Sequence, residues 1–149
     1  MAKKLSRREF IKTTAVAGGA AAVLPQTLFS SNNKKVRIGF IGTGLRGQWM
    51  LWLATKYPNV EIPAICDIDD GMIKAALKIL KDGGKPEPKV YKENEEDFRN
   101  MVKNEDLDGV YLATPWEWHH PMAIAAMKAG IHVGTEVPAA LTVDECWDL

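Results

Sequence analysis

The sequence predicts an α/β fold, a doubly wound parallel sheet with helices on both faces. Three observations carry this. Short β-rich apolar runs alternate with helical patterns along residues 35–149. The connections between them are short, and strands joined through helices run parallel. A glycine-rich turn, Gly42-Thr43-Gly44-Leu45-Arg46-Gly47, joins the first run to the first helical pattern.

The elements follow in order. Residues 36–41 form an apolar run bounded by glycine and read as a buried strand. A helix should open near Arg46 and carry Trp49, Met50, Trp52 and Leu53, with Trp49 and Trp52 assigned to packing. Residues 60–67 read as a second strand, with an irregular start at Pro63. Asp69 caps the next helix, whose Ile73, Leu77 and Leu80 recur at i, i+4 and i+7. Gly83-Gly84 ends it. Val90-Tyr91 is a third strand. Asn94 caps a helix over 95–103, and the acidic run 93–97 is its solvated start. Residues 108–114 are the fourth strand. Pro121 at a first turn and Gly130 after the last bracket another helix. Residues 131–135 are the fifth strand. Thr142-Val143-Asp144-Glu145 is a capping box that opens a last helix, on which Trp147 packs. The chain ends at Leu149, about two turns into that helix, too short to be stable without packing partners. The expectation is therefore an N-terminal fragment.

Length and charge bound the function. The chain's 149 residues fit one modest domain. Nineteen Lys+Arg balance nineteen Asp+Glu, which excludes nucleic-acid binding driven by bulk charge. The balance hides an asymmetry. Residues 1–34 carry six basic residues and one acidic residue, and 35–149 carry thirteen and eighteen, so +5 faces −5. Cys66 and Cys146 are too few for a disulfide scaffold or an all-cysteine zinc site. No histidine pair has HExxH spacing, so no metal site is expected.

The basic segment reads as an address. A charged start precedes a run of about 12 small apolar residues, short of the roughly 20 that span a bilayer. No stable membrane span is expected. Ser6-Arg7-Arg8-Glu9-Phe10-Ile11-Lys12 resembles the bacterial twin-arginine export signal, which implies the twin-arginine export machinery as a partner and a periplasmic destination. Residues 1–33 are read as this signal peptide and a linker, and 34–149 as the folded body.

Chemistry concentrates in the glycine turn. G-x-G-x-x-G between a strand and a helix is a dinucleotide fingerprint in its required setting. Gly42 permits the tight turn, Gly44 lets a pyrophosphate approach the backbone, and Gly47 lets the helix pack close to the strand. The helix-start amides near Leu45 and Arg46 suit an anion. Asp67, 20 residues past Gly47, can accept hydrogen bonds from both hydroxyls of an adenosine ribose. It would repel a 2′-phosphate by roughly 1–4 kcal/mol at about 4 Å, which favours NAD over NADP. The body is therefore expected to be a Rossmann-type NAD-binding domain.

The second half points to a family. Thr114-Pro115-Trp116-Glu117-Trp118-His119, the stretch Ala129-Gly130-Ile131-His132-Val133, and Glu136-Val137-Pro138 together resemble the Gfo/Idh/MocA oxidoreductases. The family pattern is T-P-N-x-x-H, A-G-K-H-V and E-K-P. Trp116 replaces its Asn, and Val137 replaces its Lys. That Lys helps ordinary dehydrogenases of the family move the substrate's hydroxyl proton, and valine cannot move a proton. Gly44-Leu45-Arg46-Gly47, Pro115 to His120, Glu136 to Pro138 and Glu145-Cys146-Trp147-Asp148 resemble glycoside hydrolase family 109 within it. The resemblance covers residues 35–149 and implies an incomplete NAD-binding domain whose C-terminal α/β substrate domain is absent. It also implies NAD-dependent hydrolysis of α-N-acetylgalactosaminides. In that chemistry the sugar C3 is oxidised, the C2 proton is removed, the aglycone is eliminated, water adds, and C3 is reduced again. Leu45, Arg46, Asp67, Trp116, Glu117, Trp118, His119, Glu136 and Val137 then match NAD-contacting segments. The catalytic acid and base are expected in the missing domain, and a homo-oligomer at full length stays open. A ligand-facing role is expected for His119, a cap or solvated role for His120, and a structural role for His132. The alternatives are a sugar or polyol dehydrogenase, or a non-catalytic NAD-binding fragment.

Overall fold

A computed structural model describes residues 35–149, so the expected export leader and linker, 1–33, lie outside the described residues. The strands are β1 (Val36–Ile41), β2 (Val60–Glu61), β3 (Ala64–Cys66), β4 (Lys89–Tyr91), β5 (Gly109–Leu112) and β6 (His132–Thr135). The helices are α1 (Leu45–Thr55), α2 (Asp70–Asp82), α3 (Phe98–Asn104), α4 (Trp116–Lys128) and α5 (Val143–Asp148). The sheet order is β4-β3-β1-β5-β6, with β2 paired to the start of β1. Every pairing is parallel.

From β1 the chain steps outward to β3 and β4, then returns to β5 on the other side of β1. That reversal opens a crevice at the carboxyl ends of the strands, where ligands bind in such sheets. The register aligns those ends. Ile41 sits opposite Cys66 and Leu112, and Leu112 opposite Thr135. Gly42, Asp67, Ala113 and Glu136 therefore leave the sheet along one edge.

Helices cover both faces of the sheet at β3 and the end of β1, which is why those strands read as apolar runs rather than alternating ones, while β6 keeps His132 and Gly134 exposed. Successive strand residues point to opposite faces. Ile41, Cys66 and Leu112 join Phe98, Met101, Met122 and Ala126 on one face. Phe40 and Ile65 join Leu51, Ile73, Ala76 and Leu80 on the other.

Several sequence expectations need correction. Residues 60–67 are two strands, because Pro63 has no N–H for the ladder. Its carbonyl instead accepts from the Lys89 N–H at 2.9 Å. The third helix starts at Phe98, not 95. Asn94 Oδ1 accepts from the Glu96 N–H at 2.8 Å and so closes a turn rather than capping the helix. The fourth helix starts at Trp116, with Pro115 at its N-cap and Pro121 inside it. Pro121 cannot donate to the Glu117 carbonyl, so the second turn of α4 lacks one ladder bond.

Trp49 and Trp52 do not pack in the core. Gly47 and Leu51, one turn apart, form the buried face of α1. Arg46 lies 5.1 Å over the Trp49 ring and Lys56 4.8 Å over the Trp52 ring. Trp147 is exposed, since α5 buries none of its residues. His132 is exposed on β6. His120 is half-buried between α4 and α5, with Nε2 3.4 Å from Asp148.

The acidic run 93–97 is not wholly solvated either. Asp97 is buried, accepting from the Glu93 N–H at 2.9 Å and the Asn100 amide at 2.8 Å. The Glu93 amide and then Asn100 hold its carboxyl below the usual carboxylate range. A lowered carboxyl stabilises the fold above its unfolded value, and that gain is lost as pH falls through its folded value. Asp97→Ala should destabilise the protein by about 1–3 kcal/mol at neutral pH. Its melting temperature should then fall less than the parent's on acidification.

Cys66 faces the core, and burial above all pushes its thiol up to about 12. A neutral buried thiol is a poor nucleophile. Iodoacetamide at pH 8 should leave the Cys66 peptide unmodified in the native protein and alkylate it after denaturation, as mass spectrometry would show.

Candidate functional site

Each glycine of the turn does a separate job. Gly42 has φ +87°, and a Cβ there would meet the Ala113 carbonyl carbon and oxygen at 2.6 Å. A Cβ on Gly47 would stand 2.1 Å from the Gly42 carbonyl oxygen. These two let β1, α1 and the end of β5 close together. Gly44 has nothing within 4 Å of its Cβ position. Its openness leaves the backbone at the start of α1 free to meet a ligand. The first-turn amides of α1 have no partner within the helix, and they carry its positive dipole end.

Asp67 stands beside that opening and shapes the loop. Its Oδ2 accepts from the Thr43 N–H at 2.5 Å and the Thr43 hydroxyl at 2.9 Å. Its Oδ1 accepts from the Asp69 N–H at 2.9 Å. Thr43 is fully buried, so its hydroxyl needs this partner. Among the described residues Oδ1 accepts one bond, which leaves acceptor capacity for ribose hydroxyls.

A cleft of ≈ 360 Å³ opens here. Gly42, Gly44 and Asp67 floor it, Ile68, Met72, Asn94 and Glu95 line one part, and Thr114, Pro115, Glu117 and Trp118 line another. Trp118 is held by an edge contact with Phe98, ring centroids 6.2 Å apart. The donor set fits a dinucleotide: open amides for a diphosphate, a carboxylate for a diol, and apolar walls.

The other sequence candidates fall elsewhere. Leu45, Trp116 and Val137 are exposed and outside the cleft lining. His119 is 1% exposed, with Nδ1 2.7 Å from the Pro138 carbonyl and Nε2 2.9 Å from the Thr114 carbonyl. Its observed contacts tie the loop after β5 to the loop after β6, rather than facing a ligand directly. Arg46 and Glu136, 90 residues apart, bond to each other through Nε and Oε1 at 2.5 Å. The Tyr111 hydroxyl donates to the same Oε1. Tyr111 and then Arg46 hold the Glu136 carboxyl below its usual range. Burial and then Glu136 push the Tyr111 phenol up to about 12.

Sequence reasoning missed Tyr111, Thr43 and the wall of Ile68, Met72, Asn94 and Glu95. Strand alternation carried the signal for Tyr111, which shares a sheet face with Phe40 (ring centroids 5.7 Å apart). Ile68, Asn94 and Glu95 follow β3 and β4 in loops, where no periodicity marks them, and Met72 stands in the first turn of α2.

Known proteins match this arrangement. Residues 36–149 match the oxidoreductase family with an NAD-binding Rossmann fold. Residues 4–23 match the twin-arginine translocation signal sequence. An alpha-N-acetylgalactosaminidase of Tannerella forsythia is 45% identical over 97% of this chain and 35% of its own length. A glycosyl hydrolase family 109 protein of Saccharopolyspora erythraea is 41% identical over 97% of this chain and 36% of its own. The chain thus spans about a third of the length of these curated relatives. A scyllo-inositol dehydrogenase from Lactobacillus casei, solved with NAD(H) and scyllo-inositol, superposes with a TM-score of 0.63. It is 26% identical, over 75% of this chain and 31% of that one. From the strand-edge crevice, the three glycine roles and these matches, the chain belongs to the Gfo/Idh/MocA oxidoreductase family and carries its NAD-binding Rossmann domain.

Proposed function

We propose that the full-length protein is an NAD-dependent glycosidase acting on α-N-acetylgalactosaminides, exported by the twin-arginine route to the periplasm. The observation that carries the cofactor half is the open Gly44 backbone beside Asp67 in the cleft. The relatives' names support the glycosidase half.

In this reading the amides of Leu45 and Arg46 bind the diphosphate, with Gly44 giving it room. Asp67 accepts from the adenosine ribose and repels a 2′-phosphate. Glu117 and Trp118 border the reacting end of the cleft, beside the exposed Trp116. His119 holds the loop on which they sit. Arg46 and Glu136 pair beside the first turn of α1, next to the amides that bind the diphosphate, with Val137 following. Val137 offers no proton-transfer group where ordinary dehydrogenases of the family have Lys. Bound NAD⁺ supplies a hydride acceptor that later returns the hydride, so net hydrolysis consumes no cofactor. Proton transfers to and from the sugar are left to residues beyond this domain.

A dehydrogenase is the second reading, favoured by the inositol dehydrogenases among the solved relatives. Incubating the purified full-length protein with p-nitrophenyl α-N-acetylgalactosaminide and no added NAD separates the two. The glycosidase releases nitrophenol over many turnovers without NADH accumulating. Oxidation of free sugars with stoichiometric NADH, and no nitrophenol, would establish the dehydrogenase instead.

A further inference from the structure

We propose that Tyr111 is a positioning residue that fixes the Glu136 carboxylate beside the glycine-turn helix and so sets NAD affinity. The inference rests on the reading of the cleft as an NAD site.

Three elements meet at one oxygen. Arg46 comes from the first turn of α1, Tyr111 from β5, and Glu136 from the residue after β6. Both Arg46 Nε and the Tyr111 hydroxyl donate to Glu136 Oε1, and among the described residues none donates to Oε2. The two donors differ in firmness. The Arg46 side chain is 55% exposed, and an exposed ion pair holds a side chain weakly. The Tyr111 ring is half-buried, packs on Phe40 and comes from a central strand. The rigid donor therefore sets where the carboxylate points, and Oε2 is left for a hydroxyl or amide donor of the cofactor.

The same bond keeps Glu136 ionised as pH falls, because the tyrosine hydroxyl is the largest influence holding its carboxyl down, ahead of Arg46 on α1 and His119 on α4. Removing the hydroxyl moves the Glu136 carboxyl upward. The acid limb of NAD binding should move to higher pH with it.

Tyr111→Phe keeps the ring and deletes the hydroxyl. In the full-length protein, freed of bound cofactor and titrated with NAD⁺ by calorimetry from pH 3 to 8, it should bind about 3–10-fold more weakly at neutral pH, the net scale of one ordinary hydrogen bond, because the lost bond acts on the cofactor only through Glu136. Its acid limb should shift upward. Glu136→Gln, which cannot ionise, should lose the Glu136-linked limb whether or not Tyr111 is present. Wild-type affinity and an unshifted limb in Tyr111→Phe would overturn the inference while leaving the NAD site standing. A lowered melting temperature with unchanged binding would also overturn it, assigning Tyr111 a packing role only. A wild-type protein that binds no NAD at any pH would overturn the reading of the cleft, and this inference with it.

Discussion

Gly44→Ala and Gly47→Ala should both abolish tight NAD binding, but only the second should disturb the fold. The difference follows from what each methyl meets. At Gly44 a Cβ meets nothing within 4 Å, and its φ of −63° suits any L residue. Stability should change by no more than about 0.5 kcal/mol. The methyl would occupy the face where the diphosphate must approach, so affinity should fall about 100-fold, or about 2.7 kcal/mol. At Gly47 the methyl stands 2.1 Å from the Gly42 carbonyl oxygen. That oxygen belongs to a turn held at φ +87° against Ala113, so no side-chain rotation relieves the clash. The roughly 1 kcal/mol that alanine gains in a helix is outweighed. A net loss of about 2–4 kcal/mol is expected, read by chemical denaturation. Equal stability for the two variants would show that the glycine roles are assigned wrongly.

Asp67→Ala should have the other large effect, and it should fall on cofactor choice. The carboxylate anchors Thr43 and also lines the cleft proposed to hold the ribose. Removing it costs the loop its support and the ribose its acceptor, so NAD affinity should drop about 10–100-fold. NADP should suffer less, because its 2′-phosphate no longer meets a negative charge worth roughly 1–4 kcal/mol of repulsion. The NAD-to-NADP preference should shrink at least about 5-fold in paired titrations. An unchanged preference would mean that Asp67 serves only as the anchor of Thr43.

The parts legible in the sequence share a physical reason. Strand and helix alternation, the glycine turn, the Asp69 cap and the Thr142–Glu145 capping box are all local codes. The structure shows Asp69 accepting from the Gly71 and Met72 N–H groups, and the Thr142–Glu145 box closed. What the sequence hid depends on contacts far apart in the chain. Arg46 and Glu136 both stand out as candidates, yet nothing local shows that they bond to each other, or that Tyr111 shares the oxygen. His119 reads as ligand-facing because it follows a strand at the binding edge. Only the folded chain brings the Pro138 and Thr114 carbonyls to its two nitrogens. Trp49 and Trp52 mislead for a related reason. Spacing marks a stripe on α1 but not which stripe meets the sheet, and the small Gly47 decides that by letting the backbone come close.

The central claim is that this domain holds NAD in the crevice floored by Gly44 and Asp67. It is tested most directly by purifying the full-length protein, denaturing it and quantifying the nicotinamide dinucleotide released, beside a calorimetric titration of cofactor-free protein. The account predicts up to one NAD per chain carried through purification, saturable binding of one NAD, and loss of both in Gly44→Ala at unchanged stability. No released dinucleotide and no heat of binding to the folded wild-type protein would contradict it.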